Sequence, residues 1–239
     1  MEHSEIKDLD STAPLYEVVG TVAAFWAAAN VGYHLLFPAL GLSLDYNLSA
    51  VPIALYYLAW SLVSVAYFYK LFSSWAPTPS RIWLYGLQSL VIAAMVGALI
   101  YSLSFFPTLR GPALAPYTDL LFVTPWYFLP KVFEVLMQQI LITTLVLEFY
   151  ARFRSMSLTL SAYGFTFVGA HIFLFALGQS PAAYSLSITL WAAASTWVFP
   201  YLLLKVKNGF VYTYTIHLIS YIFLAMLLRT FPPPGYFGV

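Results

Sequence analysis

The chain has 239 residues, of which 62% are hydrophobic and 8% charged. A soluble domain carries about 25% charged residues, so this composition describes a polytopic membrane protein. The formal net charge of +1 gives no electrostatic footprint for nucleic acid, and the absence of cysteine excludes disulfides, thiolate metal sites and a cysteine nucleophile.

Residues 1–15 form a mixed, slightly acidic tail. It lacks the basic start and small-residue cleavage site of a signal peptide, so insertion is expected to be directed by the spans themselves. A spanning helix needs about 20 apolar residues. The first candidate covers 16–37 and is stopped by Pro38 and Gly41; the second covers 51–72. A polar loop with Ser73, Ser74, Pro77, Pro79 and Arg81 precedes the third, 82–106, and a loop with Arg110, Pro112 and Pro116 follows it. The stretch from Asp119 to Tyr150 is too long for one straight span and is interrupted by Pro125 and Pro130. Residues 120–129 read as an aromatic interfacial or re-entrant piece, with the fourth span starting near Pro130 or Lys131. The fifth, sixth and seventh spans are expected at 158–177, 184–204 and 210–229, and a proline-rich tail closes the chain.

The expectation is an all-α, multi-pass transmembrane bundle of about seven spans. It divides into an N-terminal tail (1–15), N-terminal helices with the broken interfacial segment (16–129), core helices (130–229) and a C-terminal tail (230–239). Lys7, Lys70, Arg81, Arg152, Arg154, Lys205 and Lys207 fall on one side of this layout, and Arg110, Lys131 and Arg229 on the other. The positive-inside rule then places the N-terminus in the cytoplasm.

Polar residues inside the spans mark candidate sites, because hydrocarbon offers them no partner. Glu134 and Gln138, four apart, share one helix face. Glu134 has two readings: a carboxyl satisfied by Lys131 or water, or a functional intramembrane carboxylate. Glu148, four before Arg152, reads as an ordinary helix pair. His171 follows Gly169 and Ala170, which permit close helix approach. Thr213, His217 and Tyr221 form a stripe at spacings of four, with Ser220 beside them. Asn30 and His34 form a second polar pair, expected to bond between helices. The expected arrangement brings Glu134, His171 and His217 to one cavity.

At these residues the chain resembles the CPBP family, the CAAX proteases and bacteriocin-processing enzymes. That family carries three signatures on separate transmembrane helices: Glu-Glu-x-x-x-Arg, Phe-x-x-x-His, and His-x-x-x-Asn or Asp. Their counterparts here are Glu134 through Gln139, Phe167 through His171, and His217 through Tyr221. Glu134, Phe167, His171 and His217 match; Val135 replaces the second glutamate, Gln139 the arginine and Tyr221 the final asparagine. The likeness covers roughly Lys131 to Leu228, less than half the chain, and implies a four-helix catalytic core.

The resemblance implies an intramembrane endopeptidase in which Glu134 and His171 activate a water, with His217 as the third catalytic residue. Gln138, Gln139, Ser220 and Tyr221 would support the site or its oxyanion, Tyr221 through its phenol. The missing motif residues are equally consistent with a non-catalytic descendant. The expected partners are the bilayer and a peptide or protein with a membrane-embedded or lipidated segment. No cofactor is expected. Were a metal present, Glu134, His171 and His217 would make a two-histidine, one-carboxylate zinc set, and the two histidines a haem pair. A small-solute transporter is the remaining class; a retinal protein is disfavoured because no lysine lies mid-span in the seventh helix.

Overall fold

The computed structural model describes residues 14–42, 44–75, 82–103, 124–176 and 182–230, and among these there is no strand. Helix α1 spans Leu15–Ala39 and contains a π-helical turn at Gly32–Leu36. It is followed by α2 (Ala50–Tyr67), the short α3 (Tyr69–Trp75), α4 (Ile82–Leu103), α5 (Phe128–Phe153), α6 (Met156–Ala176), α7 (Ala182–Lys205) and α8 (Gly209–Thr230). Six of them, α1, α2, α5, α6, α7 and α8, are long and apolar enough to cross a membrane. The third expected span is helical as α4, with a shorter apolar stretch at Gly86–Met95. The chain is thus a multi-pass, all-helical integral membrane protein in its architecture.

The expected boundaries shift in two places. Residues 51–72 are not one helix: Phe68 leaves the helical register at φ −92°, ψ 19°. There Tyr67 and Phe68 pack on the Phe25 ring at 5.1 and 5.7 Å. The described part of the expected 120–129 piece is a 3-10 turn, Pro125–Tyr127, that runs straight into α5, so Pro130 sits in the first turn of that helix where its missing N–H costs little. Residues 120–123, Lys7, Arg81 and Arg110 lie outside the described residues.

Helix α5 is the axis of the bundle. Two thirds of its most apolar window is buried, against one third or less for the other spans, and it packs on α1, α2, α3, α6, α7 and α8. Its most extensive contact is with α2, whose buried face is Ala50, Ile53, Ala54, Tyr57, Ser61 and Ser64. That is a helical repeat of mostly small residues. In lipid, helices associate through close packing rather than hydrophobic burial, so small residues at the contact are what bring the backbones together. Ser61 and Ser64 return their hydroxyls to the carbonyls of Tyr57 and Trp60, both at 2.8 Å, and leave no polar group unsatisfied there.

Two tight turns join α5 to α6 and α7 to α8. Arg154, at φ 47°, closes α5 in the left-handed region, and Ser155 follows as the first residue before α6. Asn208, at φ 59°, does the same between α7 and α8. Gly209 next to it is pressed so closely on the Leu202 carbonyl that a side chain would collide. The end of the bundle where α5 begins is called the upper end below.

Candidate functional site

The upper end is built from three segments. The connection between α1 and α2 is fixed first by its own chemistry: the Asp45 carboxylate accepts the N–H groups of Asn47 and Leu48 at 2.8 and 3.0 Å, an Asx turn that opens α2. Tyr33, in the π-helical turn of α1, donates its hydroxyl to the Leu44 carbonyl at 3.0 Å. The Asn47 side-chain oxygen accepts from both the N–H and the hydroxyl of Thr124, at 2.9 and 2.8 Å, tying this connection to the approach to α5. Between these anchors stands Tyr46, buried among Tyr33, Tyr57 and Tyr127 at ring separations of 5.3–6.5 Å.

Tyr46 is aimed at Glu134. Its hydroxyl donates to Oε2 at 2.6 Å; the Lys131 ammonium donates to the same oxygen at 2.6 Å, and the Gln138 amide donates to Oε1 at 3.0 Å. The ion pair is nearly sealed, with side-chain exposures of 8% for Lys131 and 13% for Glu134. Burial first, and the adjacent carboxylate second, push the Tyr46 phenol well above its ordinary range, so it is a donor throughout the physiological range. The Lys131 ammonium also lies over three tyrosine rings: Tyr221 at 4.6 Å, Tyr46 at 4.9 Å and Tyr127 at 5.4 Å. A cation in a desolvated setting gains from each ring face.

Tyr221 links this cluster to a second, deeper one. Its ring stacks on His217 at 5.7 Å, and its hydroxyl neighbours Gln138. Gln139, fully buried, donates to the Thr213 hydroxyl at 3.0 Å and turns its carbonyl oxygen to His217 Nδ1 at 3.4 Å. An amide oxygen only accepts, so neutral His217 carries its proton on Nδ1. Ser220 is occupied with the His217 carbonyl at 2.6 Å. The expected stripe of α8 therefore does find its partners on α5.

Of the expected site residues, Glu134, Gln138, Tyr221, His217, Gln139 and Ser220 form one continuous run of contacts. His171 stands apart from it. Its Nδ1 lies 2.7 Å from the Phe167 carbonyl one turn back, and its ring packs on Phe167 at 4.7 Å. Among the described residues no hydrogen bond joins it to Glu134 or His217. Among the same residues no group of three histidine, aspartate or glutamate side chains is placed to hold a metal ion.

One smaller expectation is corrected. Asn30 does not bond to another helix; its amide returns to the Trp26 carbonyl of α1 at 2.8 Å, because i−4 is the nearest acceptor on its own face. The Oε2 atom of Glu148 is buried and has no hydrogen-bond partner among the described residues. The residues that the sequence did not single out are Tyr46 and Tyr127. Neither lies in a periodic segment. The only trace of Tyr46 is the polar triplet Asp45-Tyr46-Asn47 between two apolar runs.

Compared with known proteins, the chain matches no family model, no curated protein and no solved structure.

Proposed function

We propose that this chain is a divergent CPBP-type bundle of about seven membrane-spanning helices that binds a membrane-embedded or lipidated segment without hydrolysing it. One observation carries this reading: Glu134 already accepts from Lys131, Tyr46 and Gln138. A carboxylate that deprotonates water needs a free lone pair and a water within hydrogen-bond reach. On Oε2 a water would have to displace the phenol or the ammonium, and on Oε1 it would share the oxygen with the Gln138 amide. The cation facing the carboxylate comes from Lys131, three residues before it, while Gln139, at the position of the family's arginine, is committed to Thr213 and His217. Counting α4 with the six long apolar helices supports seven spans. Lys70, Arg152, Arg154, Lys205 and Lys207 gather at the lower end, which supports a cytoplasmic N-terminus.

The intramembrane endopeptidase is the second reading, and the histidine geometry favours it. His171 and His217 in neutral form both hold a proton on Nδ1, so each offers Nε2 as an acceptor for a water. Peptide cleavage by the purified protein separates the two, comparing wild type with Glu134→Gln, His171→Ala and Tyr221→Phe. The binding reading expects no cleavage in any of them. Activity that drops about 10²–10⁴-fold in Glu134→Gln and His171→Ala, and less in Tyr221→Phe, would establish the peptidase instead.

A further inference from the structure

A lysine in the first turn of a membrane helix ordinarily extends its four-carbon stem to the interface and leaves its charge in water. Lys131 does the opposite. It is the fourth residue of α5, yet it is 6% exposed and its ammonium is turned inward. What it turns toward comes from three separate parts of the chain: Tyr46 between α1 and α2, Tyr127 before α5, and Tyr221 on α8. Glu134 closes the fourth side at 2.6 Å. Three electron-rich ring faces and one carboxylate are the groups that recognise an organic ammonium, the rings through their quadrupoles and the carboxylate through charge. Two members of the enclosure keep other anchors without Lys131: Tyr46 through the Asx turn and Asn47, and Glu134 through Gln138.

We infer that the enclosure of Tyr46, Tyr127, Tyr221 and Glu134 is a binding site for an organic ammonium group, with Lys131 as its tethered occupant. A free amine or the ammonium of a phospholipid headgroup exchanges with it while Lys131 swings out to the interface. The position of Lys131 one turn from the helix end makes that exchange sterically short. This goes beyond the proposed function, which assigns no ligand to the enclosure.

The test vacates the site with Lys131→Ala. Ethylammonium chloride should raise the Tm of this variant saturably, at concentrations at least about tenfold below those at which propan-1-ol has any effect. The response should vanish when Glu134→Gln is added. Nanodiscs of phosphatidylethanolamine against phosphatidylglycerol, with no amine added, identify the source: a higher Tm in the former assigns a lipid headgroup, and a response to ethylammonium alone assigns a soluble amine. Equal rescue by the alcohol and the amine would mean that only volume is being filled and would overturn the inference. Where Lys131→Ala does not fold, the wild type gives the answer. Tetramethylammonium chloride should raise the rate of Lys131 acetylation at least about threefold over sodium chloride by drawing the ammonium out, and an unchanged rate would overturn the exchange. Peptide hydrolysis would sink the non-hydrolytic reading and leave the amine response standing; a failed amine response does the reverse.

Discussion

The phenol of Tyr46 and the carboxylate of Glu134 meet at 2.6 Å across 88 positions of sequence. One lies in the connection between the first two spans, the other in the central helix, and their bond fastens that connection to the bundle axis. Hydrogen bonds to charged groups contribute about 1.5–3 kcal/mol, so Tyr46→Phe should destabilise the detergent-solubilised protein by that amount. The phenol is held above its ordinary range in the folded state. An unfolded tyrosine titrates near 10, so this contribution is fully present below about pH 10 and is lost as the pH rises further toward the folded value. Chemical denaturation of wild type and variant between pH 6 and 9 should show a constant gap. A gap that closes within that window contradicts the assignment.

Lys131→Met should be more damaging than Glu134→Gln. Removing one member of a buried pair leaves an uncompensated charge and costs about 3–5 kcal/mol, whereas Glu134→Gln keeps an acceptor for Tyr46 and leaves a lysine able to reach the interface. The double variant Lys131→Met/Glu134→Leu should recover much of the loss. A double-mutant cycle with additive effects would mean that the two charges do not sense each other.

Gln139→Leu should cost about 1–3 kcal/mol by leaving His217 Nδ1 unpaired in the core. Thr213 suffers less, because its hydroxyl also donates to the Phe210 carbonyl at 3.0 Å. Coupling between Gln139→Leu and Thr213→Val in thermal unfolding should fall within about 0.5–3 kcal/mol; no coupling would argue against the Gln139–Thr213 bond.

The two ends of α5 should report opposite sides of the membrane. Leu48, 90% exposed, sits at the upper end and Ser155 at the lower. The chain has no cysteine, so Leu48→Cys and Ser155→Cys can be labelled singly in intact cells with an impermeant thiol reagent. Leu48→Cys should react and Ser155→Cys should not. The reverse pattern inverts the proposed orientation.

The helices were legible because apolar length is a long-range signal, summed over about 20 residues; α1 runs through Pro38 to Ala39, and Gly41, at φ 77°, lies just past its end. The polar run was legible in part for the same reason: Glu134 with Gln138, and Thr213 with His217 and Tyr221, are local spacings on single helices. What could not be read is which face met which. Gln139 stands where the family has an arginine, and its place at the contact with α8 depends on which neighbour covers that side of α5, which the spacing of polar residues along one helix does not reveal. Tyr46 was invisible for a different reason. A single residue between two spans has no period, and its role is set by an Asx turn and by Asn47 reaching to Thr124, 77 positions away.

Because α5 draws on both halves of the chain, its polar groups find their partners at different times during synthesis. Tyr46 is already in place when Glu134 emerges. Gln139 must wait for His217, 78 residues later. At 5–20 residues per second that interval is on the order of 4–16 s. For that time a glutamine faces either lipid or whatever the insertion machinery offers it. A chain truncated after α7 would hold that state indefinitely, and membrane quality control should treat it as an orphaned helix rather than as a shortened version of the same protein.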